Sequence, residues 1–468
     1  MSYEIEPDRT RTFLFPPALD DLVAADHPAR FIAEFVDSLD LQSMKIKVGH
    51  APKGRPRYSA RLLLGVFCYC YFSRIRSLRE MERACLENVA VMWLTGMEAP
   101  DHNTLWRFSR DNREQLRGLL KESVRVAAEL DLVGMVLHAV DGTKIQAQAS
   151  LKTGFFRSSL NEVLARAEES IQAMLEGIEA SAGLDGYRLP AELADAQGRK
   201  ERIASKLKRL DEAETNSLNP HDPDARIMKC DGKKVFSYNA QAVADDRAGI
   251  VVGADVVTNE TDHGLLVGMI EKANETTDSA VEETVADNGY FSGEELAKAE
   301  EKEHQVLVNL TDQVAPPEND KPFHASRFTY DPERDCCVCP IGGILKYQRS
   351  YVDRGETVSI YHCTGYKECP MRKRCSSAKR GRTIKLSANR LAVERQRLKQ
   401  RDPAAKSKLA RRRVIVEPVF SVIKDALGFR RWSVRGLEAV RTQWAIMCTM
   451  VNLHKTYRAW KEGVEAAA

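Results

Sequence analysis

The sequence predicts an α/β fold, a mixed β-sheet covered by helices, together with an all-α N-terminal domain and a cysteine-rich insert. Helical periodicity dominates roughly the first 130 residues, and short apolar runs of strand length then alternate with helices. Six of the eleven cysteines lie between Cys336 and Cys375. At 468 residues the chain is too long for one ordinary core, so several structural units are expected.

The N-terminal domain is predicted over residues 1–130. Met81, Ala84 and Cys85 recur at helical spacing, and Gly96 ends this helical pattern. Short helices with tight turns are typical of a helix-turn-helix-like DNA reader, but they are also typical of any helical bundle. DNA binding by this domain is therefore one of two interpretations.

A sheet is predicted to follow from residue 131. The predicted strands are Val136–Val140, Val235–Val243, Gly249–Val257, Val281–Ala286 and Val306–Leu310. After the first strand, an apolar stripe at helical spacing predicts a helical insert over residues 155–220. Helices are also predicted at Thr261–Asn274 and Glu294–Glu303. Without the insert, three strands are followed by alternating helix and strand, which is the order of a ribonuclease-H-like core over residues 131–310.

The remaining chain has two parts. Residues 311–389 break the pattern with prolines, cysteines and basic residues and are predicted to form the cysteine-rich insert. Residues 390–468 are predicted to supply a basic helix up to Lys424 and a C-terminal helix that completes the core. Between Arg390 and Arg413 there are ten Lys or Arg residues against two acids. Such an excess can bind a phosphate backbone, but a solvated helical face is an equally good interpretation of the run alone.

Composition and the start of the chain limit the class of protein. An apolar content of 43% and a charged content of 29% are those of a soluble globular protein. There is no run of 18 apolar residues, which argues against a membrane span. The polar start lacks a basic stretch followed by an apolar one, so no secretory signal is expected. We therefore expect a cytoplasmic protein without membrane association, in which clustered cysteines are more typical of metal binding than of disulfides.

Two aspartates fall at predicted strand ends. Asp141 follows the first strand in the run Val-Asp-Gly-Thr, and Asp287 follows the fourth in the run Ala-Asp-Asn-Gly-Tyr. Ligand-binding residues of such sheets gather at strand ends, where loops can vary without disturbing the core. Asp-Gly and Asn-Gly are also ordinary turn sequences, so for either aspartate alone a turn is the simpler interpretation.

A third acid, Glu417, shares one face of a predicted helix with Arg413 and Lys424. A carboxylate between two cations suits a metal ligand flanked by phosphate contacts, and it also suits a surface salt-bridge ladder. Pro418 would remove the hydrogen bond to the Val414 carbonyl. Either the helix kinks there, or a new helix begins with proline in its first turn.

In this order and spacing, the three motifs resemble those of the bacterial insertion-sequence DDE transposases. The third motif reads Arg-x3-Glu-x6-Lys, and in that family it normally begins with a tyrosine where this chain has Ala410. Arg76–Glu80, Pro100–Leu105 and Tyr238–Gln241 also resemble segments of one branch of the group. The resemblance covers about residues 12–455, nearly the whole chain.

The resemblance implies a transposase that cuts DNA at insertion-sequence ends and transfers the strands into target DNA. Asp141, Asp287 and Glu417 would be the catalytic residues and would hold two Mg²⁺ or Mn²⁺ ions. Hard divalent cations take oxygen ligands, and two ions can activate the attacking oxygen and neutralise the leaving one.

The same resemblance implies the DNA contacts and the partners. The DNA-binding residues would be Arg413 and Lys424, with Arg411 and Arg412 in the basic stretch beside them. The expected partners are the terminal inverted repeats of the element, the target DNA and a second copy of the chain in a homodimer on DNA. The protein would be nucleoid-associated when it acts.

A second candidate site is formed by four cysteines, Cys339, Cys363, Cys369 and Cys375. Four thiolates bind Zn²⁺ tetrahedrally and can stabilise an insert too small to hold itself together. The five-residue spacings between the last three are wider than the usual two to four. Related transposases also carry a cysteine-rich insert before the glutamate helix, which favours structural zinc. Reduced cysteines without a metal are the alternative.

Two other functions fit the same residues. The first is a ribonuclease-H-like nuclease that cleaves DNA without joining strands, and nothing in the sequence separates cleavage from joining. The second is a non-catalytic DNA-binding regulator that uses the helical domain and the cysteine module. Acids at all three positions argue against the regulator, because a protein that only binds DNA has no need of them.

Overall fold

The computed structural model describes residues 18–47, 57–180, 191–310, 322–353 and 356–467. Within them the predicted α/β class with a mixed sheet is confirmed. The chain divides into two compact units. The first comprises the chain up to Leu132 with Ile423–Phe429 and the stretch from Glu438 onward, and the second comprises Val133–Val422 and Arg430–Leu437.

Both units contain helices, but the helices alternate with strands only in the second unit. The helices are α1 (Pro28–Asp37), α2 (Ala60–Phe72), α3 (Leu78–Glu87), α4 (Val89–Thr95), α5 (His102–Asp111), α6 (Arg113–Glu129), α7 (Arg157–Ala180), α8 (Ala191–Glu212), α9 (Leu266–Thr277), α10 (Gly293–Glu301), α11 (Arg372–Cys375), α12 (Arg390–Lys399), α13 (Pro403–Ser421) and α14 (Leu437–Ala467). None of the described helices is long and apolar enough to span a membrane.

The strands form three separate sheets. They are β1 (Leu137–Gln146), β2 (Phe155–Phe156), β3 (Ser217–Leu218), β4 (Arg226–Cys230), β5 (Lys233–Asp245), β6 (Val251–Val257), β7 (Glu283–Ala286), β8 (Val306–Val308), β9 (Thr329–Asp331), β10 (Cys336–Val338), β11 (Ile344–Asp353), β12 (Glu356–Cys363) and β13 (Thr383–Ser387).

The first unit is helical throughout its described residues, and α2 is its most buried helix. Eleven of the thirteen α2 residues are buried, as expected for a helix that is apolar on every side. Helix α14 also packs in this unit: Gln443 donates to the Tyr71 hydroxyl at 3.2 Å, and Asn452 donates to Ser123 at 3.1 Å. The C-terminal helix that we expected to complete the sheet-containing core therefore lies mostly in the helical unit.

The main sheet of the second unit has the order β4–β5–β1–β7–β8, with β6 also paired to β5. Strands β4, β1 and β6 are antiparallel to β5, whereas β1, β7 and β8 are parallel to one another. The sheet is thus antiparallel on one side of β1 and parallel on the other. Helix α13 packs across β1, β5, β7 and β8 and buries Ile415, Val416, Val419 and Phe420.

Strand β1 is longer than the sequence predicts. The apolar run ends at Val140, but the strand continues through Asp141 and Gly142 to Gln146, because β5 offers a paired residue as far as Ser237. Asp-Gly is therefore part of a strand and not a turn. The edge strand β4 was not predicted, since its run of mixed polarity becomes a strand only by pairing with the start of β5.

The predicted basic helix is two helices. Helix α12 ends at Lys399, and α13 begins at Pro403 after Asp402, whose side chain accepts a hydrogen bond from the Ala404 amide at 2.9 Å. An Asp cap followed by proline in the first turn is a strong helix start. Pro418 lies inside α13 without ending it, and a π-helical turn, Val422–Ala426, follows.

Two smaller modules extend from the sheet unit. Helices α7 and α8 lie within the predicted helical insert and pack against each other, and with β2 and β3 they share a small core. This core contains Phe155, Leu160, Ile203, Leu210 and Leu218. The cysteine-rich insert contains an antiparallel sheet in the order β13–β12–β11–β10–β9. Its core contains Phe323, Phe328, Cys337, Leu345, Tyr361 and Ile384.

Candidate active site

The two aspartates singled out from the sequence lie where the pairing of the interior strands β1 and β7 ends, and we call this end of the main sheet its edge. Val140 of β1 pairs with Ala286 of the parallel strand β7, and Asp141 and Asp287 are the next residue of each chain segment. Because paired residues of parallel strands lie side by side, two acids 146 positions apart in the chain become neighbours. Their charges interact: the proximity of Asp287 is one of the influences that raise the pKa of Asp141.

Asp141 is largely buried and has a cationic partner. Its Oδ1 accepts a hydrogen bond from the Gly142 amide at 2.8 Å, and its Oδ2 accepts one from Arg412 Nη1 of α13 at 2.7 Å. The side chains of Asp141 and Arg412 are only 18% and 11% exposed. Burial raises the pKa of Asp141, and the Arg412 guanidinium partly opposes that rise. One oxygen of this carboxylate is thus already turned toward positive charge.

Asp287 caps a short turn that follows directly after β7. Its side chain accepts a hydrogen bond from the Gly289 amide at 2.8 Å, at the start of the 3-10 turn Asn288–Tyr290. Tyr290 is fully buried, and burial followed by the nearby carboxylates raises its pKa well above the usual value. The Tyr290 hydroxyl therefore remains a neutral donor beside the two aspartates.

A group of interacting side chains, which we name the polar cluster, lies against this edge. It comprises Lys144, Asn239, Gln241, Asp262 and Tyr290. The Asp262 Oδ1 accepts hydrogen bonds from the amides of Asn239 and Gln241, both at 2.7 Å, and lies 3.4 Å from the Lys144 ammonium. The Tyr290 hydroxyl donates to the carbonyl oxygen of Gln241. The cluster therefore links β1, β5 and the turn that follows Asp287.

The polar cluster explains the glycine after Asp141. A Cβ at Gly142 would lie closer than 3.0 Å to the Gln241 amide nitrogen and 2.8 Å from Asp262 Oδ1. A residue with a side chain would have to displace these groups, so glycine is required here for space. The sequence suggested a turn because Asp-Gly is common in turns, but the observed reason is close packing.

Asp262 is a residue that the sequence analysis did not single out. The available signal was on its partner strand, where Asn239 and Gln241 alternate with apolar residues and both are fully buried. Residues at i and i+2 of a strand share one face, and buried polar side chains need partners. Two such residues on one face indicate a polar partner from elsewhere in the chain, and Asp262 is that partner.

Glu417 is not gathered with the aspartates in this structure. Its side chain is 58% exposed, and its ion-pair partner is Arg413 on the same helix at 3.8 Å. Among the described residues, no group of three or more His, Cys, Asp or Glu side chains is arranged to hold a metal ion. The structure thus joins two of the three expected acids and leaves the third on the exposed face of α13.

The predicted DNA-binding cations have different environments. Arg412 pairs with Asp141, and Arg411 pairs with Asp246 at 2.8 Å. Arg413 is 76% exposed. Lys424 lies in the π-helical turn, within the segment that belongs to the first unit.

The four cysteines of the second candidate site influence one another electrostatically in the insert, but no three of these described residues are arranged to hold a metal ion. All eleven cysteines of the chain are free. Burial raises the pKa of Cys363 and Cys375, and the nearby thiols Cys339 and Cys369 raise both further. Cys339 also accepts a hydrogen bond from the Gly343 amide at 3.1 Å.

Two family models match the chain. The Transposase DDE domain matches residues 338–457, which include the four cysteines and Glu417. The Transposase domain (DUF772) matches residues 17–111 in the helical unit. Comparison with curated proteins and with solved structures gives no match. The two domain matches agree with the motif resemblance, and together they support an insertion-sequence DDE transposase.

Proposed function

We propose that this transposase cuts DNA at insertion-sequence ends and transfers the freed ends into target DNA, using Asp141, Asp287 and Glu417. The observation that carries the proposal is the pairing of Val140 with Ala286, because it brings two acids that are distant in sequence to one sheet edge. Gathering acids without a cation costs free energy, so neighbouring carboxylates seldom arise for structural reasons.

The strand order supports a ribonuclease-H-like core for the second unit. A long first strand has antiparallel partners on one side and parallel partners on the other, and the parallel strands follow in chain order. Apart from β4, the order of strands and helices along the chain is the one that the sequence predicts once the helical insert is removed. The proposed catalytic edge is the end of the parallel pair, which is where sheets of this kind bind ligands.

The donor set fits two Mg²⁺ or Mn²⁺ ions, since carboxylate oxygens are the ligands that hard cations prefer. When bound, such ions supply activation of the attacking oxygen and neutralisation of the leaving one. The Oδ2 of Asp141 already forms an ion pair with a guanidinium, so this oxygen interacts with a positive charge in the folded protein.

Glu417 would join the site by turning its side chain. Its present ion pair with Arg413 is long and exposed at both ends, and pairs of this kind contribute about 0–1 kcal/mol. Breaking it therefore costs little. Val416, which is fully buried, anchors the adjacent position of α13 against the sheet.

The remaining expectations form part of the same proposal. Arg411, Arg412, Arg413 and Lys424 would contact phosphates of the element ends and target DNA. A homodimer on DNA would hold the two ends. Cys339, Cys363, Cys369 and Cys375 would bind a structural Zn²⁺, supported by the proximity of their thiols.

The test is a nicking and joining assay with DNA that carries the element ends. We expect Asp141→Asn, Asp287→Asn and Glu417→Gln each to abolish Mg²⁺-dependent nicking while DNA binding remains. The matched control is Asp195→Asn, an exposed acid of α8, which should nick as the unaltered protein does. Nicking by the Asp141→Asn protein would end the proposal. Nicked products that are never joined would instead identify a nuclease without strand transfer.

A further inference from the structure

The segment between β12 and β13 has an unusual concentration of positive charge. From Lys367 to Arg380 there are six Lys or Arg residues and one acid, Glu368. All six side chains are exposed. We name this surface the basic turn, and it consists of Lys367, Arg372, Lys373, Arg374, Lys379 and Arg380. Its formal charge of +5 exceeds the +3 of the whole chain, so it is a local concentration of charge.

The two halves of the basic turn lie together around one aromatic ring. The Arg372 guanidinium lies 5.3 Å from the centre of the Tyr366 ring. From the other half, Gly381 approaches the same ring so closely that a Cβ there would lie 2.6 Å from Tyr366 Cγ. His362 of β12 donates to the Arg380 carbonyl and packs edge-on against Tyr366. The cations therefore belong to one continuous surface.

The insert's own core supports this surface. Met371 and Cys375, on either side of Arg372–Arg374, pack against the cluster around Tyr361 and Ile384. The Cys375 amide donates to the Met371 carbonyl at 2.9 Å. The three consecutive cations therefore extend from an anchored helical turn, and less conformational entropy is lost when they bind a ligand.

The cations of the basic turn have no acidic partner within the part of the chain that the structure describes. The structure contains no ion pair from any of the six to a described carboxylate, although many of the chain's other Lys and Arg side chains are paired. Unpaired charge on an exposed surface attracts a polyanion, and the attraction is strongest for a regular array of phosphates.

We propose that the basic turn binds the sugar-phosphate backbone of duplex DNA, as a contact surface separate from the Asp141–Asp287 edge. The proposal rests on the proposed function in one respect, that the polyanion is the DNA on which a transposase acts. Arg and Lys contacts to phosphates hold and orient a duplex without reading its sequence. The basic turn therefore adds affinity that does not depend on sequence.

The test is the salt dependence of binding to a labelled 30-base-pair duplex of arbitrary sequence, measured by fluorescence anisotropy without added Mg²⁺. The test variant replaces Lys367, Lys373, Arg374, Lys379 and Arg380 by Gln. The matched control replaces five exposed cations of α8 by Gln: Arg199, Lys200, Arg202, Lys206 and Lys208. Both variants lose five positive charges, so the net charge of the protein changes equally in the two. An unchanged melting temperature and thiol titration will show that the insert is folded.

If three of the five cations contact phosphates, the slope of log affinity against log salt should become shallower by about 2.7, at roughly 0.9 per contact. The control should keep the original slope. An unchanged slope in the test variant overturns the proposal, and so does an equal change in both variants, which would reflect net charge alone. Unchanged DNA binding with lost binding of poly-glutamate would assign the surface to an acidic protein. This experiment measures DNA binding and not nicking. A protein that binds DNA through the basic turn but never nicks it would therefore contradict the proposed function and leave the proposal for the basic turn intact.

Discussion

Helix α13 and the basic turn are both rich in cations, but they use their charge differently. Over α13 most of the cations pair with carboxylates of the protein, whereas in the basic turn no described carboxylate pairs with the cations. In α13 the pairs are Lys408–Glu283, Arg411–Asp246, Arg412–Asp141 and Arg413–Glu417. A run of charged residues in a sequence specifies only their formal charge. The electrostatic field outside the molecule also depends on where the fold brings the opposite charges.

The difference follows from what each segment packs against. Helix α13 crosses strand ends that carry acids, with Asp141 in β1, Glu283 in β7 and Asp246 just after β5. Its cations form an ion pair with each of these acids. The basic turn packs on a small apolar core and meets no such acids. We therefore expect changes in α13 to affect stability and changes in the basic turn to affect binding.

The largest stability effect is expected for Arg412→Ala. Removing this cation leaves a buried carboxylate without its partner, which costs roughly 3–5 kcal/mol in fully buried pairs, and we expect about 3 kcal/mol here. Urea unfolding will measure it. Arg413→Ala on the same helix is the matched control, because the Arg413–Glu417 pair is exposed at both ends and its loss should cost under about 1 kcal/mol. Equal losses in the free energy of unfolding of the two variants would contradict the larger contribution assigned to the buried Arg412–Asp141 pair.

The loss in Arg412→Ala should also depend on pH. Burial raises the pKa of Asp141 above 3.8 in the folded protein, so stability falls as pH rises from about 4 through that folded pKa. Arg412 opposes the rise, and without it the folded pKa moves further up. The cost of the substitution should therefore be small near pH 4 and grow toward pH 7. A cost that shrinks with rising pH would contradict the assigned pairing.

A smaller loss is expected for Gly142→Ala. Overpacking against Gln241 and Asp262 should cost about 2 kcal/mol, within the usual 1–3 kcal/mol for such changes. This outweighs the roughly 0.4–1 kcal/mol that alanine gains over glycine through the unfolded chain. Gly268→Ala in α9 is the control, since nothing lies within 4 Å of its added Cβ, and it should stabilise slightly. Thermal unfolding of both variants measures the difference, and a stabilised Gly142→Ala would refute the steric role.

The smallest effect on stability is expected for Arg413→Ala, where both partners are exposed. The change should alter the free energy of unfolding by no more than about 0.5 kcal/mol. If Arg413 contacts a phosphate, the salt slope of DNA binding should become shallower by about 0.9 for every DNA sequence alike. A change in sequence preference with the same slope would instead make Arg413 a base contact.

The sequence predicted the elements that local patterns determine. Apolar runs marked β5, β6, β7 and β8 within a few residues, and the position of Asp287 after the end of β7 was read from them. Asp141 was expected at the end of the first strand but lies inside β1. Strand β4 was missed because it depends on pairing with β5, a contact that periodicity does not show. The break between α12 and α13 was available in Asp402-Pro403, a cap-and-proline signal that the basic run obscured.

The candidate site was less predictable for the same reason. Asp262 joins it through hydrogen bonds to residues more than twenty positions away, and the role of Arg412 depends on α13 crossing β1. The exposed position of Glu417 could not be read from helical spacing, which places it on a face without saying what covers that face. The sequence showed which side chains could do chemistry, but it did not show which other residues each of them contacts.

The Arg412–Asp141 pair also has a consequence for the order of events during synthesis. Asp141 is translated 271 residues before its counter-charge, so the sheet edge spends most of translation with uncompensated acids. Contacts so distant in sequence form late, and they cannot form before the chain that makes them has left the ribosome. The sheet edge that holds Asp141 and Asp287 is therefore completed only when most of the protein exists, and a truncated product that ends before α13 would lack Arg412 and Glu417 together.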